Sequence, residues 1–109
     1  MTKNHLSSSG EVFGRSGIGF GLGVAVSIDQ AAIGELGSDG EYNWGGAAGT
    51  KFWIDPKEKM IGIFMTQSVP HRSRVGIDFK YLSYQAMSDS YTDDVEPKEK
   101  IGFWSKIMN

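Results

Sequence analysis

The residues of this chain best suited to contact a small molecule lie between Glu41 and Asp55, where Glu-Tyr-Asn-Trp-Gly-Gly-Ala-Ala-Gly-Thr-Lys-Phe-Trp-Ile-Asp joins two aromatic-rich segments. The pattern predicts a strand through Trp44, a bend at residues 47–49 and a second strand over residues 50–55. Gly45 and Gly46 carry no side chains, so a ligand or another backbone can lie against the main chain there. Spacing alone favours a plainer interpretation, in which Trp44 is a core aromatic and the glycines form a β-bulge.

The composition limits the classes of function that these residues can serve. A chain of 109 residues is one domain or part of one. With 11 basic and 13 acidic residues and a net charge of -2, it has no field that would attract nucleic acid or an anionic membrane. It contains no cysteine, which excludes a disulfide framework and a thiolate metal site, and we expect neither a metal nor another cofactor. The start has no signal-peptide core and no apolar run could span a bilayer, so we expect a soluble chain without a membrane partner; its compartment stays open.

Residues 19–28 alternate between bulky and small side chains, which predicts one strand. The small face would let a loop or helix approach closely, and the bulky face would anchor a core. The glycines do not match the G-x-G-x-x-G spacing of a nucleotide-binding loop, so packing is favoured over phosphate binding. The bulky residues are Phe20, Leu22, Val24, Val26 and Ile28.

Three later segments complete the expected structure. Asp55-Pro56-Lys57-Glu58 predicts a turn, and the return strand over residues 60–67 is apolar on both faces, which is typical of a central strand covered on both sides. Residues 74–88 predict an amphipathic helix on the sheet. Its apolar stripe consists of Val75, Phe79, Leu82 and Ala86, and a shorter stripe of Ile101, Trp104 and Met108 lies in the tail.

The expected fold class is α+β, with an antiparallel sheet of about three strands and a C-terminal helix packed on it. Residues 1–88 would form the domain portion, and residues 89–109 a charged linker and short C-terminal tail. A sheet whose central strand is apolar on both faces needs two covering layers, and only one helix is predicted. We therefore expect the domain to be partial.

Five segments, taken in order, resemble the C-terminal part of the serine β-lactamase-like superfamily. They are Asn4-His5-Leu6, Gly19-Phe20-Gly21-Leu22-Gly23, Trp44-Gly45-Gly46-Ala47-Ala48-Gly49-Thr50, Phe52-Trp53-Ile54-Asp55-Pro56 and Gly62-Ile63-Phe64-Met65-Thr66-Gln67. The most similar branch contains the class C β-lactamases and the related family VIII-type esterases. The resemblance spans residues 1–88, about the last quarter of a typical member, and it implies a partial β-lactamase-like fold and acyl-serine ester hydrolysis.

That family uses a nucleophilic serine in a Ser-x-x-Lys motif, a Tyr-x-Asn motif for proton transfer, and a Lys-Thr-Gly-like strand. Only the third has a counterpart here, in Trp44-Gly45-Gly46, which resembles the esterase variant. No serine of this chain is followed three residues later by lysine. The resemblance therefore implies no catalytic side chain in this chain, and only one catalytic group, the backbone N–H of Ala47. In the family this donor would bind the oxyanion of the acyl intermediate, a contribution of about 2.7–4 kcal/mol.

The resemblance also implies a substrate-binding wall formed by Trp44, Gly45 and Gly46, with Tyr42 as a further lining residue or a purely structural tyrosine. The acyl chain would run beside the glycines like an added strand. Trp44 stands where penicillin-recognising enzymes carry a lysine, and it offers no charge to a substrate carboxylate. Neutral esters are therefore favoured over β-lactams.

Three other residues have alternative interpretations. His5 and His71 are expected in loops, at the surface or in loop packing, with a general base as the alternative. Trp53 shares a strand face with Lys51 and Asp55, and we expect it to be half-exposed or covered by a segment missing from this chain.

Functions from three classes remain open. In the first, the chain is the C-terminal piece of a serine hydrolase that acts on a small acyl ester or β-lactam-like substrate. This hydrolase needs a further segment that carries Ser-x-x-Lys. Alternatively, the chain is a non-catalytic binding module, or a structural fragment that pairs through open strand edges with a complementing chain or a second copy. We favour the first, and we expect no turnover by this chain alone.

Overall fold

A computed structural model describes residues 1–6, 12, 14–70 and 73–90 of the chain. Its elements are β1 (Ile18–Phe20), β2 (Ala25–Ser27), α1 (Gln30–Ile33), β3 (Tyr42–Gly45), β4 (Lys51–Asp55), β5 (Met60–Phe64) and α2 (Val75–Gln85). The five strands form one antiparallel sheet in the order β1-β2-β3-β4-β5. The α+β class, with an antiparallel sheet and a C-terminal helix, is confirmed, although the sheet has more strands than expected.

The prediction of one strand over residues 19–28 is wrong, because the chain reverses direction and β1 pairs antiparallel with β2. The backbone N–H of Gly21 donates to the carbonyl of Val24 at 2.8 Å and closes the turn. Gly23 adopts a φ of +96°, which glycine accepts without steric cost. The glycines that suggested a bare strand face therefore permit a tight hairpin.

The bulky residues of this hairpin do not share one core face. Val26 is buried, but Leu22 is 60% exposed and Ile28 is 48% exposed. The small residues do admit a neighbouring segment, because a Cβ on Gly19 would lie only 2.6 Å from the side chain of Asn4. The expected close approach is confirmed, and the segment that approaches is the N-terminal one.

The bend and the turn that flank β4 are confirmed. The bend over residues 47–49 connects β3 to β4. At the other end of β4, Oδ1 of Asp55 accepts hydrogen bonds from the backbone N–H groups of Lys57 and Glu58, both at 3.1 Å. An aspartate side chain that bonds the backbone in this way stabilises a turn directly after the strand.

The prediction that the return strand is central is wrong, because β5 lies at the edge of the sheet. Ile61 is 68% exposed and Ile63 is 62% exposed, whereas Gly62 between them is buried. A strand that is apolar on both faces therefore lies at the sheet edge here, and its face with Ile61 and Ile63 is open. The strand is also shorter than expected, since it ends at Phe64.

The C-terminal helix is confirmed as α2, but it faces the sheet with a different side from the one predicted. Gly76 and Lys80 are its buried residues. Val75 is 54% exposed and Leu82 is 64% exposed, and Ala86 follows the end of the helix. A Cβ on Gly76 would lie 3.2 Å from Cδ1 of Phe64, so a small residue at this position lets the helix approach the sheet closely.

Trp53 lies in the core beneath α2. It is only 2% exposed, and its ring contacts that of Phe79 edge-on with centroids 5.7 Å apart. The Phe79 ring also lies 5.6 Å from that of Phe64, so it is the one residue of the predicted stripe that joins these sheet aromatics. The expectation that Trp53 is half-exposed, or covered by a missing segment, is wrong because α2 covers it.

The short helix α1 lies between β2 and β3. Its N-terminus is capped by Asp29, whose Oδ1 accepts a hydrogen bond from the backbone N–H of Ala32 at 3.0 Å, and Gly34 ends it with a φ of +71°. None of the helices in the described ranges is long and apolar enough to cross a bilayer. His71 and the predicted tail stripe at residues 101–108 lie outside the described residues.

Candidate functional site

An open groove of about 300 Å³ lies at the end of the sheet where β3 ends and β4 begins. Its volume is at the lower limit of typical ligand sites, about 300–1,000 Å³. The register brings Trp44 opposite Phe52 and Phe52 opposite Ile63, so three apolar side chains follow one another across β3, β4 and β5. The groove is lined by Trp44, Gly45, Gly46, Thr50, Lys51, Phe52, Ile63, Phe64 and Met65.

The structure brings three of the predicted binding residues together at this groove, namely Trp44, Gly45 and Gly46. Tyr42 is half-buried two positions earlier in β3, opposite Ile54, and is not among the residues that line the groove.

Trp44 is both an anchored aromatic and a wall of the groove. Its side chain is 39% exposed, and its ring meets that of Phe20 edge-on with centroids 5.3 Å apart. An edge-to-face pair of this kind restricts the orientation of the indole. Trp44 can therefore present a fixed apolar surface to a ligand without being fully buried.

Close approach of Thr50 explains why residues 45 and 46 are glycines. The backbone N–H of Gly46 donates to the carbonyl of Thr50 at 2.9 Å, and a Cβ on Gly46 would overlap with Oγ1 of Thr50. A Cβ on Gly45 would lie 3.3 Å from the carbonyl oxygen of Thr50. The glycines are thus required by the bend itself, and they also leave the groove side of the backbone uncovered.

Ala47 lies at the exposed tip of this bend. The bend is held by a hydrogen bond from the N–H of Gly49 to the carbonyl of Gly46 at 3.0 Å, and by one from the N–H of Ser68 to the carbonyl of Ala48 at 3.0 Å. Within the described parts of the chain, no protein acceptor binds the backbone N–H of Ala47.

The groove residues Thr50, Phe52, Ile63 and Met65 were not anticipated as site residues. Strand alternation would have found Phe52, because a residue opposite Trp44 shares its face. Ile63 and Met65 depend on β5 lying beside β4, which a single sequence does not reveal. His5 is exposed in the N-terminal segment, where its backbone N–H donates to the carbonyl of Phe20 at 2.9 Å.

A second polar cluster lies under α2 and was missed by sequence reasoning. Glu41 and Asp55 are both 0% exposed. Nζ of Lys80 lies 2.6 Å from Oε1 of Glu41, and the hydroxyl of Tyr84 lies 3.0 Å from Oε2 of Glu41 and 2.7 Å from Oδ2 of Asp55. We call Glu41, Asp55, Lys80 and Tyr84 the buried network. The spacing of Gly76, Lys80 and Tyr84, four residues apart along one helix face, was the signal available in the sequence.

Burial dominates the electrostatics of this network. Desolvation raises the pKa of Glu41 above its ordinary value, against the opposing effects of Lys80 and Tyr84. Desolvation and the hydrogen bond to Asp55 raise the pKa of the Tyr84 hydroxyl well above its ordinary value, so Tyr84 stays neutral. The network therefore holds two buried carboxyl groups, one lysine and one neutral hydroxyl.

A small cavity of about 50 Å³ lies beside this network and is bordered by Glu35, Asn43, Lys51 and Lys80 among others. Burial lowers the pKa of Lys51 from its ordinary value. Nε1 of Trp53, whose ring also borders the cavity, is buried without a hydrogen-bond partner among the described residues. In the same part of the chain, no group of three or more His, Cys, Asp or Glu residues could hold a metal ion.

Comparison with known proteins assigns the chain to no family: neither a protein-family model nor a curated protein matches this sequence.

Proposed function

We propose that this chain is the C-terminal part of a β-lactamase-related serine hydrolase and contributes one wall of its acyl-transfer site. The reaction is hydrolysis of an acyl ester through a covalent acyl-serine. The nucleophile is supplied by a segment that carries Ser-x-x-Lys, a motif absent from these 109 residues. The chain by itself is therefore inactive.

The observation that carries this proposal is the backbone N–H of Ala47, at the exposed tip of the bend and next in sequence to the groove residue Gly46. The donor lies directly after Trp44-Gly45-Gly46 and is bonded to no acceptor among the described residues. Hydrogen bonds from Gly46, Gly49 and Ser68 hold the surrounding bend. A donor held in place before the reaction stabilises developing negative charge without reorganisation, which is how oxyanion holes act.

The groove lining supports an ester in preference to a β-lactam as the substrate. Trp44, Phe52, Ile63 and Met65 supply aromatic and aliphatic surface without formal charge. Lys51 also borders the groove, but its side chain runs along the opposite side of β4, with Cδ 3.4 Å from the position of a Cβ on Gly76 of α2. The preferred substrate is therefore a neutral acyl ester whose apolar portion fits about 300 Å³.

The proposal is tested by complementation. The purified chain is mixed with a chromogenic short-chain ester, with and without a separately produced polypeptide that contains the Ser-x-x-Lys and Tyr-x-Asn motifs of a related esterase. We expect hydrolysis only in the mixture. A fluorophosphonate probe should label the serine of the added polypeptide and leave this chain unlabelled.

Ala47→Pro provides the sharper comparison because proline has no backbone N–H to donate at this position. In the complemented mixture we expect kcat to fall about 10²–10³-fold. Ala47→Ser keeps the N–H and serves as the matched control, with activity near that of the parent chain. Equal activity of both variants would refute the role of Ala47.

Ester binding in the groove without any hydrolysis in the mixture would favour the non-catalytic binding module.

One observation favours a second candidate, pairing of this chain with another copy through a strand edge. β5 is an edge strand without charged residues or proline, and Ile61 and Ile63 on its open face are more than half exposed. Edges of this composition recruit other strands. Under this alternative, light scattering after size-exclusion chromatography should detect a dimer that Ile63→Lys converts to a monomer, whereas Thr66→Lys beyond the strand should leave it intact. A monomeric parent chain would remove this candidate.

A further inference from the structure

The charges of the buried network do not balance if both of its carboxyl groups are ionised. The network contains two carboxyl groups, of Glu41 and Asp55, and only one cationic side chain, that of Lys80, which pairs with Glu41 at 2.6 Å. If both carboxyl groups were ionised, the network would hold one uncompensated negative charge in residues that are 0% exposed. An uncompensated buried charge is costly, and a carboxyl group in this situation takes up a proton instead.

The position of Tyr84 leads to the same conclusion through its hydrogen bonds. Its hydroxyl lies within hydrogen-bond distance of Oε2 of Glu41 and of Oδ2 of Asp55, at 3.0 and 2.7 Å. A phenol has one proton and can donate only one of these bonds. The second short contact is favourable only if the other carboxyl group donates a proton to the phenol oxygen.

The donors around each carboxyl group identify the one that carries the proton. Asp55 accepts two backbone N–H bonds at Oδ1, from Lys57 and Glu58, and the shorter contact with Tyr84 at Oδ2. Three hydrogen-bond donors therefore point at Asp55, and none of these contacts needs a proton from its carboxyl group. Glu41 accepts from Lys80 at 2.6 Å and from Nδ2 of Asn43 at 3.5 Å, both at Oε1, and at Oε2 its close polar neighbour is the Tyr84 hydroxyl.

We propose that Glu41 is a neutral carboxylic acid in the folded chain and that its protonation closes the contact between α2 and the sheet. Lys80 donates to Oε1 of Glu41, the Glu41 O–H donates to Tyr84, and Tyr84 donates to the carboxylate of Asp55. Each hydrogen is used once, and the network has no net charge. Lys80 and Tyr84 belong to α2, whereas Asp55 belongs to β4 and Glu41 directly precedes β3, so the proton joins the helix to the strands.

The surroundings of Glu41 agree with this assignment. Burial raises its pKa above the ordinary value of 4.5, and Asp55 acts in the same direction. The other polar groups that face it are the Asn43 amide, with Nδ2 at 3.5 Å from Oε1, and Lys51 and Glu35 across the small cavity. Glu35 is an anion that is paired with Arg15 at 2.6 Å, so it adds no positive charge to the network, and Lys51 is the further cation that borders this cavity.

The consequence is that a rise in pH above about 4.5 weakens the attachment of α2. A carboxyl group whose pKa is raised on folding stabilises the folded state fully below its unfolded pKa, about 4.5, and this contribution is lost as the pH rises to the folded pKa. Within that window the folding equilibrium constant falls by up to about tenfold per pH unit. Above it, the Glu41 proton has left for solvent and the network carries a net negative charge.

The test is Glu41→Gln in the full chain, with stability measured by urea unfolding from pH 5 to pH 8.5. The glutamine amide mimics the neutral acid, because its oxygen accepts from Lys80 and its NH₂ donates to Tyr84. We expect the parent chain to lose at least tenfold in its folding equilibrium constant across this range, and the variant to lose little. The variant should match or exceed the parent at pH 8. Glu35→Gln at the exposed ion pair serves as the matched control and should keep the pH dependence of the parent.

The opposite result would follow if Glu41 were an ionised salt-bridge partner of Lys80. Glu41→Gln would then remove the counterion of a buried lysine and lower the folding equilibrium constant roughly hundredfold or more at neutral pH. That outcome, including failure of the variant to fold, would overturn the proposal. A ¹³C carboxyl titration of the unmutated chain tests the protonation of Glu41 independently. The proposal requires the Glu41 carboxyl carbon to titrate at a higher pH than those of the other glutamates. Titration at or below them would equally overturn it.

Discussion

Gly62 of β5 lies directly beneath the indole ring of its cross-strand partner, Trp53 of β4. A Cβ on Gly62 would overlap with Cζ2, Cε2 and Cη2 of the indole. The largest buried apolar side chain of the described residues therefore fits only because the opposite residue has no side chain. Phe79 of α2 covers the same indole from the helix side.

This relationship predicts that Gly62→Ala destabilises the chain. The added methyl group must displace the indole, and overpacking of this kind costs about 1–3 kcal/mol of unfolding free energy. Urea unfolding monitored by tryptophan fluorescence would measure the loss. Ile61→Ala, one residue away on the open face, should cost much less because Ile61 is 68% exposed. If Gly62→Ala were as stable as the parent chain, the proposed packing would be incorrect. Trp53→Phe combined with Gly62→Ala should recover part of the loss, because the smaller ring leaves room for the methyl group.

Tyr84→Phe should destabilise the chain by removing the hydroxyl that joins Glu41 to Asp55. Both carboxyl groups are fully buried and each would lose a hydrogen-bond partner, a loss of about 1–3 kcal/mol. Tyr81→Phe removes a hydroxyl from the same helix without disturbing the buried network and is the matched control. Thermal or urea unfolding of the two variants should differ by at least 1 kcal/mol on the same scale. Equal stabilities would show that the Tyr84 hydroxyl is not needed to hold α2.

Lys51→Met should stabilise the chain at neutral pH and have less effect in alkaline solution. Burial lowers the pKa of Lys51 from its ordinary value of 10.5, so the folded state binds fewer protons than the unfolded state between the lowered value and 10.5. Lys51 therefore opposes folding below its folded pKa, and this opposition is relieved as the pH rises towards 10.5. Methionine keeps the apolar stem and removes the charge. Urea unfolding at pH 7 and pH 10 should show a gain that shrinks with pH. Lys57→Met, at an exposed position, should give no comparable gain, and an equal gain there would argue against desolvation as the cause.

Local patterns in the sequence were sufficient wherever neighbouring residues decide the structure. The bend at residues 47–49 and the turn after Asp55 follow from glycine, proline and aspartate chemistry within a few positions. The helix over Val75–Gln85 and the antiparallel strands from Tyr42 to Phe64 were likewise predicted from periodicity. Bringing Trp44, Gly45 and Gly46 to one groove needed no long-range information, since they are consecutive.

Long-range pairing decided the features that were predicted incorrectly. The glycine-rich alternation of residues 19–28 fits a strand and a hairpin equally well until the partner strands are known. The apolar residues on both faces of β5 predicted a central strand and did not reveal that it lies at the sheet edge. The contact face of α2 was predicted incorrectly because the prediction used only the apolar residues of the helix. The residues that face the sheet include a glycine, and a lysine and a tyrosine whose polar groups have buried hydrogen-bond partners.

By itself, the sequence determined the fold class, the order of the elements from Tyr42 to Gln85, the absence of a Ser-x-x-Lys motif and the position of Trp44-Gly45-Gly46 next to a bend. Only the tertiary structure decided that Glu41 and Lys80, 39 residues apart, meet under α2, and that Ile63 closes one side of the groove. The physical reason is that turns and periodic elements depend on steric preferences of adjacent residues. Buried polar contacts and the order of the strands instead depend on which segments, distant in sequence, pack against one another and exclude water.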